Sequence, residues 1–96
     1  MPSRPLESKV EGQVTIYATS RDILHLKLNV KGRVGWPDQL YICNGVTFFI
    51  EFKRPGEKPT KAQEFIHSLI RAHGLDVGVF DNFDDAKEFI DGHCGI

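Results

Sequence analysis

The chain has 96 residues, 41% of them apolar, with 12 Lys plus Arg against 13 Asp plus Glu. This balance fits one small domain over residues 1–96 and leaves no room for a second. No stretch approaches the roughly 20 apolar residues of a membrane helix, and the start, MPSRPLESK, lacks the apolar core of a signal peptide. The expected location is therefore intracellular and cytoplasmic, with no membrane partner. Cys43 and Cys94 are too few for a disulfide scaffold and have no zinc spacing, so both are expected as free thiols. Residues 1–61 carry ten Lys or Arg against six acids, and residues 62–96 carry two against seven. A basic front and an acidic rear suit phosphate on one face, although ordinary solvated charge explains the same asymmetry.

From Pro5 to Thr19, Leu6, Val10, Val14 and Tyr17 recur at helical spacing, with a β-branched interruption at Val14-Thr15-Ile16. Ile23 to Val30 alternates, and Leu24, Leu26, Leu28 and Val30 predict the buried side of a half-buried strand. Asp38–Cys43 and Val46–Lys53 are two further strands around Asn44-Gly45, the pair that a type I′ hairpin turn favours. Arg54 to Pro59 is a loop. Thr60 with Gln63 forms a capping box for a helix whose apolar face reads Ala62, Phe65, Ile66, Leu69 and Ala72, and which ends at His73-Gly74. Leu75–Phe80 is a fourth strand, with a bulge or a close backbone approach at Gly78. Asp81 or Asn82 caps a last helix through Ile90. The order is α-β-β-β-α-β-α, an α/β fold with a mixed sheet of about four strands flanked by helices.

A two-residue turn at Asn44-Gly45 pairs Cys43 with Val46 and Leu40 with Phe49, and it sets Asp38 opposite Glu51. Like charges facing each other across a sheet destabilise it unless something offsets them. The two-residue period puts Lys53 on the face of Glu51, while Phe48, Ile50 and Phe52 point to the other. Two converging carboxylates plus a main-chain carbonyl, that of Phe52 being the candidate, suit Mg²⁺ or Mn²⁺ with water completing the shell. The plain alternative is solvated charge on an exposed sheet.

The run GWPD at 35–38, IEFKRPG at 50–56, PTKAQ at 59–63 and LDVGVFDNFDDAKEFI at 75–90 resembles the virus-type replication-repair nuclease (VRR-NUC) family of the PD-(D/E)XK nuclease superfamily. The resemblance implies that Asp38 and Glu51 are metal-binding acids, that Lys53 is the motif lysine, and that Gln63 orients water or a phosphate oxygen. Gln63 is equally explained as the capping partner of Thr60. A glutamate on the first helix is also implied; Glu7 and Glu11 compete for it. Glu11 is favoured because Val14 follows it at the superfamily's glutamate-plus-apolar spacing.

The implied activity is Mg²⁺- or Mn²⁺-dependent hydrolysis of branched DNA, at four-way junctions or flaps, in replication, recombination or repair. The implied assembly is a homodimer; the apolar residues of the first helix and those of the last strand and helix are two open candidates for its interface. Lys31, Arg33, Arg54, Lys58 and Lys61 flank the acids as candidate phosphate contacts, and Gly32 and Gly35 allow close backbone approach. Trp36 is either a base-stacking residue or core. The alternatives are a nuclease-derived binding module without activity and a nuclease acting on RNA.

Overall fold

The computed structural model describes residues 6–29 and 31–96. Pro5 and Val30, where the predicted first helix begins and the predicted first strand ends, lie outside the described residues. The elements are α1 (Leu6–Ser20), β1 (Leu24–Lys27), β2 (Gln39–Cys43), β3 (Val46–Phe52), α2 (Lys61–Ala72), β4 (Asp76–Phe80) and α3 (Phe83–Cys94). Their order is the predicted one. The sheet runs β1-β2-β3-β4, antiparallel up to β3 and parallel between β3 and β4.

The hairpin sets the frame. Asn44 and Gly45 have φ of 49° and 80°, as a type I′ turn demands of both positions. Cys43 pairs with Val46 and Gln39 with Ile50, the register that a two-residue turn imposes. Even-numbered residues of β3 (Phe48, Ile50, Phe52) join Val14, Ala18, Tyr41, Ala86 and Ile90 in one core under α1 and α3. The Tyr41 and Phe48 rings stack there at 5.4 Å. On the opposite face, Phe49, Val77 and Ile70 form a smaller core under α2, edged by Leu28, Trp36, Leu40 and Ile66.

Three expectations about the elements, and one about the cysteines, need correction. In β1 the alternation separates the two sides correctly, but the leucine side is not buried: Leu24 is 66% and Leu26 59% exposed. That side faces the half of the sheet which α2 leaves bare. In α2 the buried residues are His67 and Ile70, while Phe65 and Leu69 are exposed, so the covered face is rotated from the apolar stripe. Polar Gln63 and His67 occupy inward positions that hydrophobicity alone assigns to solvent. Finally, α3 runs past Ile90 to Cys94, where Gly95 closes it in a left-handed conformation.

That extra turn explains the correction at the cysteines. Cys43, at the hairpin tip, and Cys94, at the end of α3, form a disulfide with a Cα–Cα distance of 5.6 Å, so neither is a free thiol. Asn44 Nδ2 also donates to the Cys94 carbonyl at 2.9 Å. The two cysteines are 51 positions apart, a separation from which no pairing can be read. At Gly78 the ladder with Ile50 is regular, and the Phe80 and Phe89 rings fill the space of a Cβ, so the glycine serves close approach and not a bulge.

Candidate active site

The site lies where β2 begins and β3 ends. Asp38 is held on both sides: its carbonyl accepts from Leu28 N at 2.8 Å, and its Oδ2 accepts from Phe52 N at 2.8 Å. The carboxylate thus reaches across to the end of β3, one step beyond the Gln39–Ile50 pair. Burial raises the Asp38 pKa above the usual carboxylate range, and the Phe52 N–H opposes that rise.

Glu51 is 2% exposed. Burial first, and the neighbouring Asp38 charge second, push its carboxyl up to about 7, against the pull of Lys53. Its two oxygens have different surroundings. Oε2 accepts from Gln63 Nε2 at 3.0 Å and lies 3.5 Å from Lys53 Nζ, whereas Oε1 is buried with no hydrogen-bond partner. An acceptor-only atom buried without a donor is costly, and a cation relieves that cost.

Gln63 forms the capping box with Thr60, and its amide also reaches Glu51. Thr60 Oγ1 accepts from Gln63 N at 3.2 Å, and Gln63 Oε1 accepts from Thr60 N at 2.8 Å, completing the capping box. Because the amide oxygen is engaged by the cap, the amide NH₂ must face Glu51. The helix cap thereby sets the orientation of the acid.

Glu11 and Glu7 differ in their surroundings. Glu11 Oε2 accepts from Lys27 Nζ and from Gln39 Nε2, each at 2.8 Å, and Gln39 Oε1 in turn accepts from the Tyr41 hydroxyl. Glu7 makes no hydrogen bond among the described residues, and burial together with Glu57 and Asp38 raises its pKa. Its charge also raises Glu51. Glu7 is therefore the less committed of the two helix acids facing this site.

All five predicted phosphate contacts, Lys31, Arg33, Arg54, Lys58 and Lys61, are exposed. Trp36 lies against Phe49 with ring centroids 6.4 Å apart in the smaller core, which favours its packing role. Gly35, with φ 98°, lies so close to α2 that a Cβ would stand 2.5 Å from the Ala62 carbonyl oxygen; its close approach is to a helix. His67, given no role from the sequence, is 2% exposed on α2, one turn beyond Gln63. The four-residue interval from Gln63 is the signal that would have placed it on the same helical face.

A metal fits the residues present without a full protein cage. Among the described residues no three His, Cys, Asp or Glu side chains are gathered as a metal-holding group. Two carboxylates, one with an orphaned oxygen, are a donor set for a hard divalent cation that keeps several waters.

No family model matches the chain. A solved structure of a VRR_NUC domain superposes with a TM-score of 0.80 at 30% identity, covering 90% of this chain and 95% of that one. The chain belongs to the VRR-NUC family. The four-stranded mixed sheet and its flanking helices are thus a VRR-NUC fold. It is also 46% identical over 54 residues to the p44 protein of Acyrthosiphon pisum secondary endosymbiont phage 1, which is named as a candidate nuclease. That match spans 55% of this chain and 58% of the phage protein. No helix among the described residues is long and apolar enough to cross a membrane.

Proposed function

We propose that this VRR-NUC domain is a Mg²⁺- or Mn²⁺-dependent endonuclease that hydrolyses phosphodiesters in branched DNA. The observation that carries the reading is the buried, unpartnered Oε1 of Glu51 beside Asp38 and Lys53. Asp38, Glu51 and the Phe52 carbonyl would hold the cation, with Glu7 or Glu11 reached through water. When bound, such an ion polarises the phosphodiester and makes water a better nucleophile. The chain's own residues do the rest. Gln63 holds Oε2 and so presents Oε1 to the site. Lys53 supplies positive charge where negative charge develops on the phosphate. Lys31, Arg33, Arg54, Lys58 and Lys61 neutralise flanking phosphates without reading bases.

Specificity for branched structure comes with a two-fold dimer, which offers two sites to a symmetric junction. The surface that supports dimerisation differs from those expected. Leu24 pairs with Ile42, and Leu26 with Leu40, across β1 and β2, and Leu24, Leu26 and Ile42 are exposed together on one face. The row continues through Phe49 towards the apolar groove lined by Trp36, Ile66, Leu69 and Leu75. By contrast, α1 and α3 with its C-terminal residues show only Ile16 and Ile96 as exposed large apolar side chains among the described residues. A second copy packed on the bare sheet face would cover the leucines.

The test is cleavage of labelled duplex, flap, four-way junction and RNA with Mg²⁺, Mn²⁺ or chelator. Junctions should be cut and plain duplex spared, with cleavage abolished by chelator. Asp38→Ala should lose cleavage and keep junction binding. Cleavage in chelator refutes the mechanism, and equal cutting of duplex refutes the substrate class. A protein that binds junctions and cuts nothing would be the inactive binding module.

A further inference from the structure

The predicted phosphate contacts omit one cation beside the site. Lys27 ends β1 directly opposite Gln39, the residue after Asp38, and the next N–H along the chain, that of Leu28, donates to the Asp38 carbonyl at 2.8 Å. The Lys27 side chain is 65% exposed, yet its ammonium is held: Nζ donates to Glu11 Oε2 at 2.8 Å, a charge-assisted bond. Glu11 is the one acceptor it meets among the described residues, so two of its three N–H groups are left for a ligand. Lys31, Arg33, Arg54, Lys58 and Lys61, by contrast, form no ion pair among the described residues.

The hydrogen bonds behind Glu11 are buried and run in one direction. Gln39 is 3% exposed and Tyr41 is fully buried. Burial, with the Glu11 and Asp38 charges behind it, raises the Tyr41 pKa, so the hydroxyl keeps its proton and donates it to Gln39 Oε1. The amide NH₂ is thereby left for Glu11, and Nε2 donates to Oε2 at 2.8 Å. Flipping the amide would set its carbonyl against a carboxylate, so its orientation is fixed. An exposed ion pair contributes little to stability, and buried polar groups can often be replaced by apolar ones without loss. Stability therefore does not explain why a glutamine and a tyrosine hydroxyl in the core serve a surface lysine. Holding its ammonium in one place does.

We propose that Lys27 contacts a nucleic-acid phosphate beside Asp38, and that Tyr41 and Gln39 are positioning residues which hold it there through Glu11. The proposal rests on the nuclease reading and adds to it a contact that is set in place before the substrate arrives.

The test is fluorescence anisotropy of a labelled four-way junction and a labelled duplex over a range of salt, in chelator so that nothing is cut. Lys27→Met should reduce the slope of log affinity against log salt by about 0.9, and at ~0.1 M salt it should weaken junction and duplex alike by about 8-fold. Tyr41→Phe leaves the net charge unchanged, so it should act only through Lys27, weakening binding by about 2- to 4-fold in the wild type and not at all in the Lys27→Met background. A Lys27→Met protein with wild-type affinity and slope overturns the inference. So does a Tyr41→Phe protein that binds like the wild type, or one that weakens binding equally in both backgrounds, the mark of a merely structural role. A wild type that binds no nucleic acid at any salt removes the nuclease reading together with the inference, whereas binding that is indifferent to Lys27 removes the inference alone.

Discussion

Replacing Glu51 with Gln should make the metal-free protein more stable at alkaline pH, although it removes a residue of the site. In the fold this carboxyl is raised from 4.5 to about 7 by burial and by Asp38. The folded state therefore holds the proton more tightly than the unfolded chain does. Its contribution to stability is fully present below pH 4.5 and is lost as pH rises through 7. At pH 8.5 the gap corresponds to about 3 kcal/mol of destabilisation, at about 1.4 kcal/mol per pH unit. Glutamine keeps the shape and an oxygen for Gln63 to donate to, but carries no charge. The gain is reduced by whatever Lys53 loses with its carboxylate partner at 3.5 Å. One kcal/mol moves the Tm of a domain this size by about 4–8 °C, so the difference is readily measured. Melting curves of both proteins in chelator from pH 4.5 to 8.5 should coincide at the acid end and separate with rising pH, Glu51→Gln melting higher. Saturating Mn²⁺ should then raise the wild type and leave the variant unmoved. A separation that does not change with pH, or a variant that melts lower at pH 8.5, would refute the claim that the site is electrostatically frustrated when empty of cation.

Reduction of the Cys43–Cys94 bond, or Cys94→Ser, should lower stability by up to about 4 kcal/mol, the chain-entropy value for a 51-residue separation. Urea unfolding with and without reductant checks this, and an unchanged midpoint would contradict it. Leu26→Glu places a charge on the bare leucine face and should convert a dimer to a monomer in light scattering while leaving the fold intact by circular dichroism. A variant of unchanged mass would move the interface elsewhere.

What was legible in the sequence follows from where local chemistry dictates geometry. Asn44-Gly45 permits few other turns, so the register through Gln39–Ile50 and the shared neighbourhood of Asp38, Glu51 and Lys53 could be counted out in advance. The Thr60–Gln63 cap was legible for the same reason. The errors arose where tertiary packing decides. Alternation in β1 separates the leucines from His25, but nothing in those residues says that α2 stops short of them. Phe65 and Leu69 outweigh Gln63 and His67 on any hydrophobic scale, yet the polar pair turns inward, Gln63 because Glu51 waits there for its amide. The link between Cys43 and Cys94 depends on where α3 ends, which Gly95 decides. The different surroundings of Glu7 and Glu11 depend on the positions of Lys27 and Gln39, which pin the second of them.

The most direct measurement is anomalous diffraction from crystals equilibrated with Mn²⁺. One peak within coordinating distance of both the Asp38 carboxylate and Glu51 Oε1, absent from Asp38→Asn crystals, is the predicted result. Saturating Mn²⁺ with no density between these two side chains, or a peak bound to other residues alone, would contradict the account.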